Sequence, residues 1–112
     1  MRITVPLKGN RDFRRIYSRA HSFVSRSVVL YFSKNRLGSN RLGITVSKKL
    51  GCAVKRNRAK RIIREAYRMT EPEIRRGYDF VVVARSRALS MKTGELQKDL
   101  YTVLKNAGVL LK

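Results

Sequence analysis

The sequence predicts an α+β sandwich: a small mixed central sheet covered by three helices, in the order helix, strand, strand, helix, strand, helix. Two observations carry that class. Along the chain, the spacing of apolar residues switches between the 3.6-residue period of a helix and the two-residue period of a strand. In addition, 43% of the 112 residues are hydrophobic, enough to bury a core, so residues 1–112 read as one domain.

The first helix is expected from about Asn10 to Arg19. Leu7, Phe13, Ile16, Tyr17 and Ala20 recur at helical spacing, Gly9 and Asn10 offer an N-cap, and Asp12 in the first turn complements the helix dipole. By spacing alone, Phe13 and Tyr17 face inward as core. Within SFVSRSVVLYFS, Val28, Leu30 and Phe32 alternate with Val29, Tyr31 and Ser33, which predicts a strand covered on both faces. KNRLGSN has the composition of a turn, and RLGITVSKK sets Leu42, Ile44 and Val46 on one face of a second strand. The two strands are expected to pair as an antiparallel hairpin.

Beyond Gly51 the helical period returns. With Ala59 at zero on a wheel of about 100° per residue, Ile62, Ile63, Ala66, Tyr67 and Met69 share its side, while Asn57, Arg58, Lys60, Arg61, Arg64 and Arg68 fill the opposite arc. This is one amphipathic helix, apolar inward and basic outward. Pro72 ends it near Thr70 by removing a donor and restricting the residue before it. YDFVVVA, from Tyr78 to Ala84, is the near-continuous β-branched run of a buried central strand. Leu96, Leu100, Val103, Leu104 and Ala107 mark the last helix, with Glu95 at its start and Gly108 closing it. Should the second and third strands be parallel, general statistics favour a right-handed crossover between them.

Charge points to the partner. The chain has 27 Lys and Arg against 7 Asp and Glu, a formal charge of +20. Between Lys48 and Arg64 stand eight of those cations and no acid. Crowded like charges repel, and the usual compensation is a row of phosphates with its condensed counterions, so nucleic acid is the expected ligand. Lys48, Lys49, Arg56, Arg58, Lys60, Arg61 and Arg64 supply point charges and planar forks for phosphate. Asn57 among them suits a base edge, a 2′-hydroxyl or a metal-bound water, and equally a cap on neighbouring backbone. Phe13, Tyr17 and Tyr31, if open to solvent, would offer stacking platforms for a single strand.

Other functions are disfavoured. The seven carboxylates are scattered rather than clustered for divalent metal, Glu65 reads as surface pairing on the basic helix, and His21 stands alone in an expected turn. Cys52 follows Gly51 close to a helix start, a position that lowers a thiol pKa, yet it has no base partner. No catalytic site is expected on the protein. One cysteine excludes an internal disulfide and, with one histidine, the recurring zinc ligand sets. No apolar run approaches the roughly 18 residues that span a bilayer, and the N-terminus is charged again before a signal-type stretch develops. No membrane association and a cytoplasmic location are expected.

At VSKKLGCAVKRNRAKRIIREAYR the sequence resembles the protein subunit of bacterial ribonuclease P, the ribonucleoprotein that removes the 5′ leader from precursor tRNA. The resemblance extends, in family order, over NRDFRRIYSRA, RSVVLYF, RLGITVSKKLG, the RNRAKRIIRE block and GYDFVVVAR. It implies a subunit of an endoribonuclease whose catalysis belongs to the partner RNA and its Mg²⁺, with no cofactor held by the protein alone and one protein per RNA. It implies a left-handed βαβ crossover, against the general rule. It also implies that Arg56, Asn57, Arg58, Lys60, Arg61 and Arg64 face the catalytic RNA, and that Phe13, Tyr17 and Tyr31 line a cleft for the single-stranded leader of precursor tRNA. On that reading the three aromatics are open on one side rather than core. The rival readings are a small ribosomal protein, a nuclease in its own right and a nucleoid DNA binder.

Overall fold

A computed structural model describes residues 4–7 and 10–111, the side chains of residues 10–12 excepted. The six expected elements are present in the expected order, joined by two short strands. In chain order they are β1 (Thr4–Pro6), α1 (Asn10–Arg19), β2 (His21–Val24), β3 (Val28–Lys34), β4 (Asn40–Thr45), α2 (Ala53–Thr70), β5 (Tyr78–Ala84) and α3 (Thr93–Ala107). The N-cap expected at Gly9 and the side chain of Asp12 lie outside the described residues.

The strands form one mixed sheet in the order β1-β4-β5-β3-β2. β4 runs parallel to both β1 and β5, whereas β3 is antiparallel to β5 and to β2. The expected hairpin between β3 and β4 is therefore not formed, because β5 lies between them. The reason is burial. Asp79, Phe80, Val81, Val82 and Ala84 are all buried, and so apolar a strand at a sheet edge would expose a pairing surface to water. Residues 35–39 step across it, turning through Gly38 at φ +74°. Asn40, buried at the start of β4, ties the two parallel strands together: its amide donates to Arg75 O (3.0 Å) and its carbonyl accepts from Tyr78 N (2.9 Å).

The real hairpin is β2 with β3, and His21 accordingly sits on β2 opposite Phe32 rather than in a turn. Its turn is built on Asp99 of α3, which accepts from Ser25 Oγ (2.7 Å), Ser27 N (3.1 Å) and Ser27 Oγ. Burial opposes ionisation of Asp99, but these donors outweigh it and hold its carboxyl below the usual range.

The two faces of the sheet are unequally covered. One packs against α2 and α3 through Leu30, Phe80, Val82, Ile63, Tyr67, Leu96, Leu100 and Leu104. At about 1.5–3 kcal/mol for each large apolar side chain removed from water, this face supplies most of the folding energy. Met69, expected inward, is 41% exposed, because it stands about 80° from Ala59 on the wheel, at the rim of the arc that Ile62, Ile63, Ala66 and Thr70 bury. The other face carries α1, with Leu7, Ile16 and Val81 as the buried residues of its cluster among those described. That thin cover leaves room for a cleft.

Candidate nucleic-acid interface

The basic helix begins where its sequence lets it. Ser47 caps a short turn at residues 48–50 by accepting from Lys49 N (3.2 Å), which projects Lys48 and Lys49 into solvent ahead of α2. Cys52 is the N-cap of α2 and is exposed. The backbone N–H of Lys55, followed by that of Val54, draws its thiol pKa below the ordinary value. Ala59, Ile62, Ile63, Ala66 and Tyr67 are buried beneath the helix, as the wheel requires. Tyr67 also reaches β1, its hydroxyl 3.0 Å from Thr4 Oγ1, and burial pushes its pKa up to about 12.

The outward arc divides into distinct roles. Asn57, Arg61 and Arg64 are exposed, whereas Arg56, Arg58 and Lys60 are half-buried. Asn57 makes no side-chain hydrogen bond among the described residues. Arg58 is not simply outward: its guanidinium donates to Leu89 O (3.1 Å) and Met91 O (3.0 Å), fastening α2 to the segment that leads into α3. Glu65 pairs with Arg68 one turn on, as expected of a lone acid on a basic helix, and that pair lowers its pKa.

Across the sheet, α1 and β3 bring the three predicted aromatics together. The Phe13 and Tyr17 ring centroids are 6.5 Å apart, and Tyr17 meets Tyr31 edge to face at 4.9 Å. Phe13 and Tyr31 are half-buried, while Tyr17 is 40% exposed. The core reading from periodicity thus fails for Tyr17 and holds only in part for Phe13. Gly43 of β4 makes the arrangement possible, since a Cβ there would stand 2.6 Å from Cε1 and Cζ of Phe13. Sequence reasoning passed over Gly43, although a glycine inside a strand pattern is a signal of close approach.

The cleft and the basic helix meet. A hollow of about 240 Å³ is lined by Phe13, Leu42, Gly43, Ile44, Lys60 and Arg64. β1 ends opposite Leu42, so no described strand flanks residues 43–45 on that side of β4. An aromatic ring on one face and two cations on the other border this stretch, the combination that a flexible polyanion with stacking bases requires. The carboxylates do not assemble. Asp79 is held by Arg41 and Asn35, Asp99 by two serines and Glu65 by Arg68, while Glu95 accepts from Lys92 N at the start of α3. No group of three His, Cys, Asp or Glu that could hold a metal ion occurs among the described residues, and no described helix is long and apolar enough to cross a membrane.

Fold and face together define a small, strongly basic α+β protein in which one helix carries concentrated positive charge beside an aromatic cleft. The family model for ribonuclease P matches residues 1–108. The chain belongs to the ribonuclease P protein family, whose members are components of the tRNA-processing ribonucleoprotein. Among curated relatives, the ribonuclease P protein component of Clostridium botulinum (strain Loch Maree / Type A3) is 41% identical over 104 residues, 92% of this chain and 94% of that protein. Among solved structures, the Staphylococcus aureus RNase P protein is 45% identical with a TM-score of 0.84, covering 93% of this chain and 95% of that one. The RNase P protein from Thermotoga maritima is 32% identical with a TM-score of 0.83, covering 90% and 96%.

Proposed function

We propose that this protein docks the catalytic RNA of ribonuclease P on the basic face of α2 and guides the leader of precursor tRNA through the cleft beneath α1. Lys48, Lys49, Arg56, Asn57, Arg58, Lys60, Arg61 and Arg64 form the docking face. Phe13, Tyr17 and Tyr31 form the leader cleft, where unpaired bases stack. Mg²⁺ enters with the RNA and supplies the hydrolytic chemistry there, so the protein holds no cofactor of its own. The protein's part is electrostatic and positional: it neutralises phosphates and fixes the leader, one protein to one RNA.

One observation carries this reading. Phe13 shares a hollow with Lys60 and Arg64, so a strand lying on the aromatics also meets the face that would grip the RNA. The test is reconstitution with a bacterial ribonuclease P RNA at low Mg²⁺, scoring precursor tRNA cleavage with and without the protein. Cleavage is expected to depend on the protein, and Tyr17→Ala is expected to weaken precursor binding by about 1–3 kcal/mol, the cost of one lost stack, with mature tRNA unaffected. Equal losses for both substrates would rule out the cleft, and stimulation by no ribonuclease P RNA would rule out the docking role.

A further inference from the structure

α1 has a second flank. On a wheel of about 100° per residue, Phe13 and Tyr17 stand to one side of the buried Ile16, and Arg15 and Arg19 to the other. Beside Arg15 and Arg19 lies a pocket of about 440 Å³ whose further cations are Lys34, Arg36 and Arg41. Its one carboxylate is Asp79, whose Oδ1 accepts from Arg41 Nε (2.8 Å) and Asn35 Nδ2 (2.9 Å) and whose Oδ2 accepts from Arg41 Nη2 (2.7 Å). Asp79 also feels the charge of Arg15, but one carboxylate among five lining cations leaves the pocket net positive.

This pocket is remote from the start of the basic helix. It sits where β3 ends and where β4 and β5 begin, whereas Lys48 and Lys49 follow the far end of β4. α2, 18 residues at about 1.5 Å each, spans about 27 Å between those ends. Adjoining the pocket, and sharing Arg19, Ser33 and Lys34 with it, is a hollow of about 500 Å³ bordered by His21, Phe32 and Tyr78. Phe32 lies between the other two rings, with centroids 5.7 Å from His21 and 6.1 Å from Tyr78. Positive space beside an aromatic wall is what one nucleotide of a single strand needs.

We propose that this end of the sheet is a second RNA site, in which Arg15, Arg19, Lys34 and Arg36 hold a backbone phosphate of single-stranded RNA while its base lies against His21 and Tyr78. Its phosphate half lies on the flank of α1 away from the aromatic cleft, and its base half rounds the edge of β3 at Ser33 and Lys34 onto the face covered by α2 and α3. Neither half depends on what occupies that cleft.

The test uses the full chain and a fluorescein-labelled decauridylate, followed by anisotropy, in a Tyr17→Ala background that weakens the cleft. Arg19→Gln/Arg36→Gln is compared with Lys98→Gln/Lys105→Gln, a charge-matched pair on the exposed side of α3. The first pair is expected to bind about ten-fold more weakly near 0.15 M salt, with a salt slope lower by about 0.7, one phosphate contact on a single strand. The second pair is expected to lose less than about two-fold. His21→Ala is expected to cost about five-fold with the slope unchanged, since stacking releases no counterions. Equal losses for the two double variants, in chains of matching circular dichroism, would reduce the pocket to bulk charge and overturn the proposal. It is also overturned if His21→Ala has no effect while inorganic phosphate displaces the RNA, which would make this a site for free anions.

Discussion

Replacing Gly43 with alanine places a methyl group 2.6 Å from Cε1 and Cζ of Phe13 and 3.2 Å from Cδ1 of Leu7. Carbon atoms rest at about 3.5–4.0 Å, so the ring must retreat by about 1 Å. The contact falls on the far end of a side chain that is only half-buried, and alanine fits extended backbone at no conformational cost, so stability should fall by no more than about 1 kcal/mol. The cleft, by contrast, loses its geometry, because Phe13 is moved out of register with Tyr17 and away from the hollow shared with Lys60 and Arg64. Loss of part of one base stack, about 1 kcal/mol, corresponds to about five-fold weaker binding of precursor tRNA. The assay measures affinity of the reconstituted holoenzyme for precursor and mature tRNA, with the melting temperature of the free protein as control. A variant that melts normally and binds both tRNAs as the parent does would show that Phe13 makes no contact with the leader.

Three further outcomes follow from named contacts. Lys60→Ala should weaken association with ribonuclease P RNA and lower the slope of log affinity against log salt by about one, as expected for one phosphate contact; an unchanged slope in a folded variant would remove Lys60 from the interface. Arg58→Ala should lower stability by about 1–2 kcal/mol, read by urea unfolding, because it abandons the carbonyls of Leu89 and Met91; unchanged stability would show that the fastening is dispensable. Asp99→Asn should cost about 2 kcal/mol at pH 7 by weakening the bonds from Ser25 and Ser27. The folded carboxyl lies below its unfolded value, so this advantage is fully present above that value, near 3.9, and disappears as pH falls through the lower folded one. A gap between wild type and variant that stayed constant down to pH 2 would contradict that linkage.

Much of the fold was legible because its signals are local. Asn10 and Arg19 bound α1 as expected, Pro72 closes α2 just after Thr70, and the apolar run from Tyr78 to Ala84 is the central strand. Pairing was not legible, since β3 and β4 each carry a strand pattern but nothing in either says that β5 enters between them. The β2–β3 turn was hidden because Ser25 and Ser27 acquire their meaning only from Asp99, more than 70 positions away. At the candidate site, periodicity assigns Phe13 and Tyr17 to the side of α1 that meets the sheet. It does not report whether anything covers that side, and the exposure of Tyr17 depends on how little of the sheet α1 spans. Arg58 looked like its neighbours because charge patterns do not reveal which guanidinium bends back to a carbonyl.

The unequal cover of the sheet has a dynamic consequence. α1 is held by a small cluster around Ile16, whereas α3 buries Leu96, Leu100 and Leu104 in the main core. Opening of α1 therefore costs less than global unfolding, and its amides should exchange with solvent well before those of β5 and α3. A helix able to rise and settle independently of the rest lets the cavity beneath it adjust to strands of differing sequence, so tolerance would be set by local breathing and not by the shape of a rigid groove.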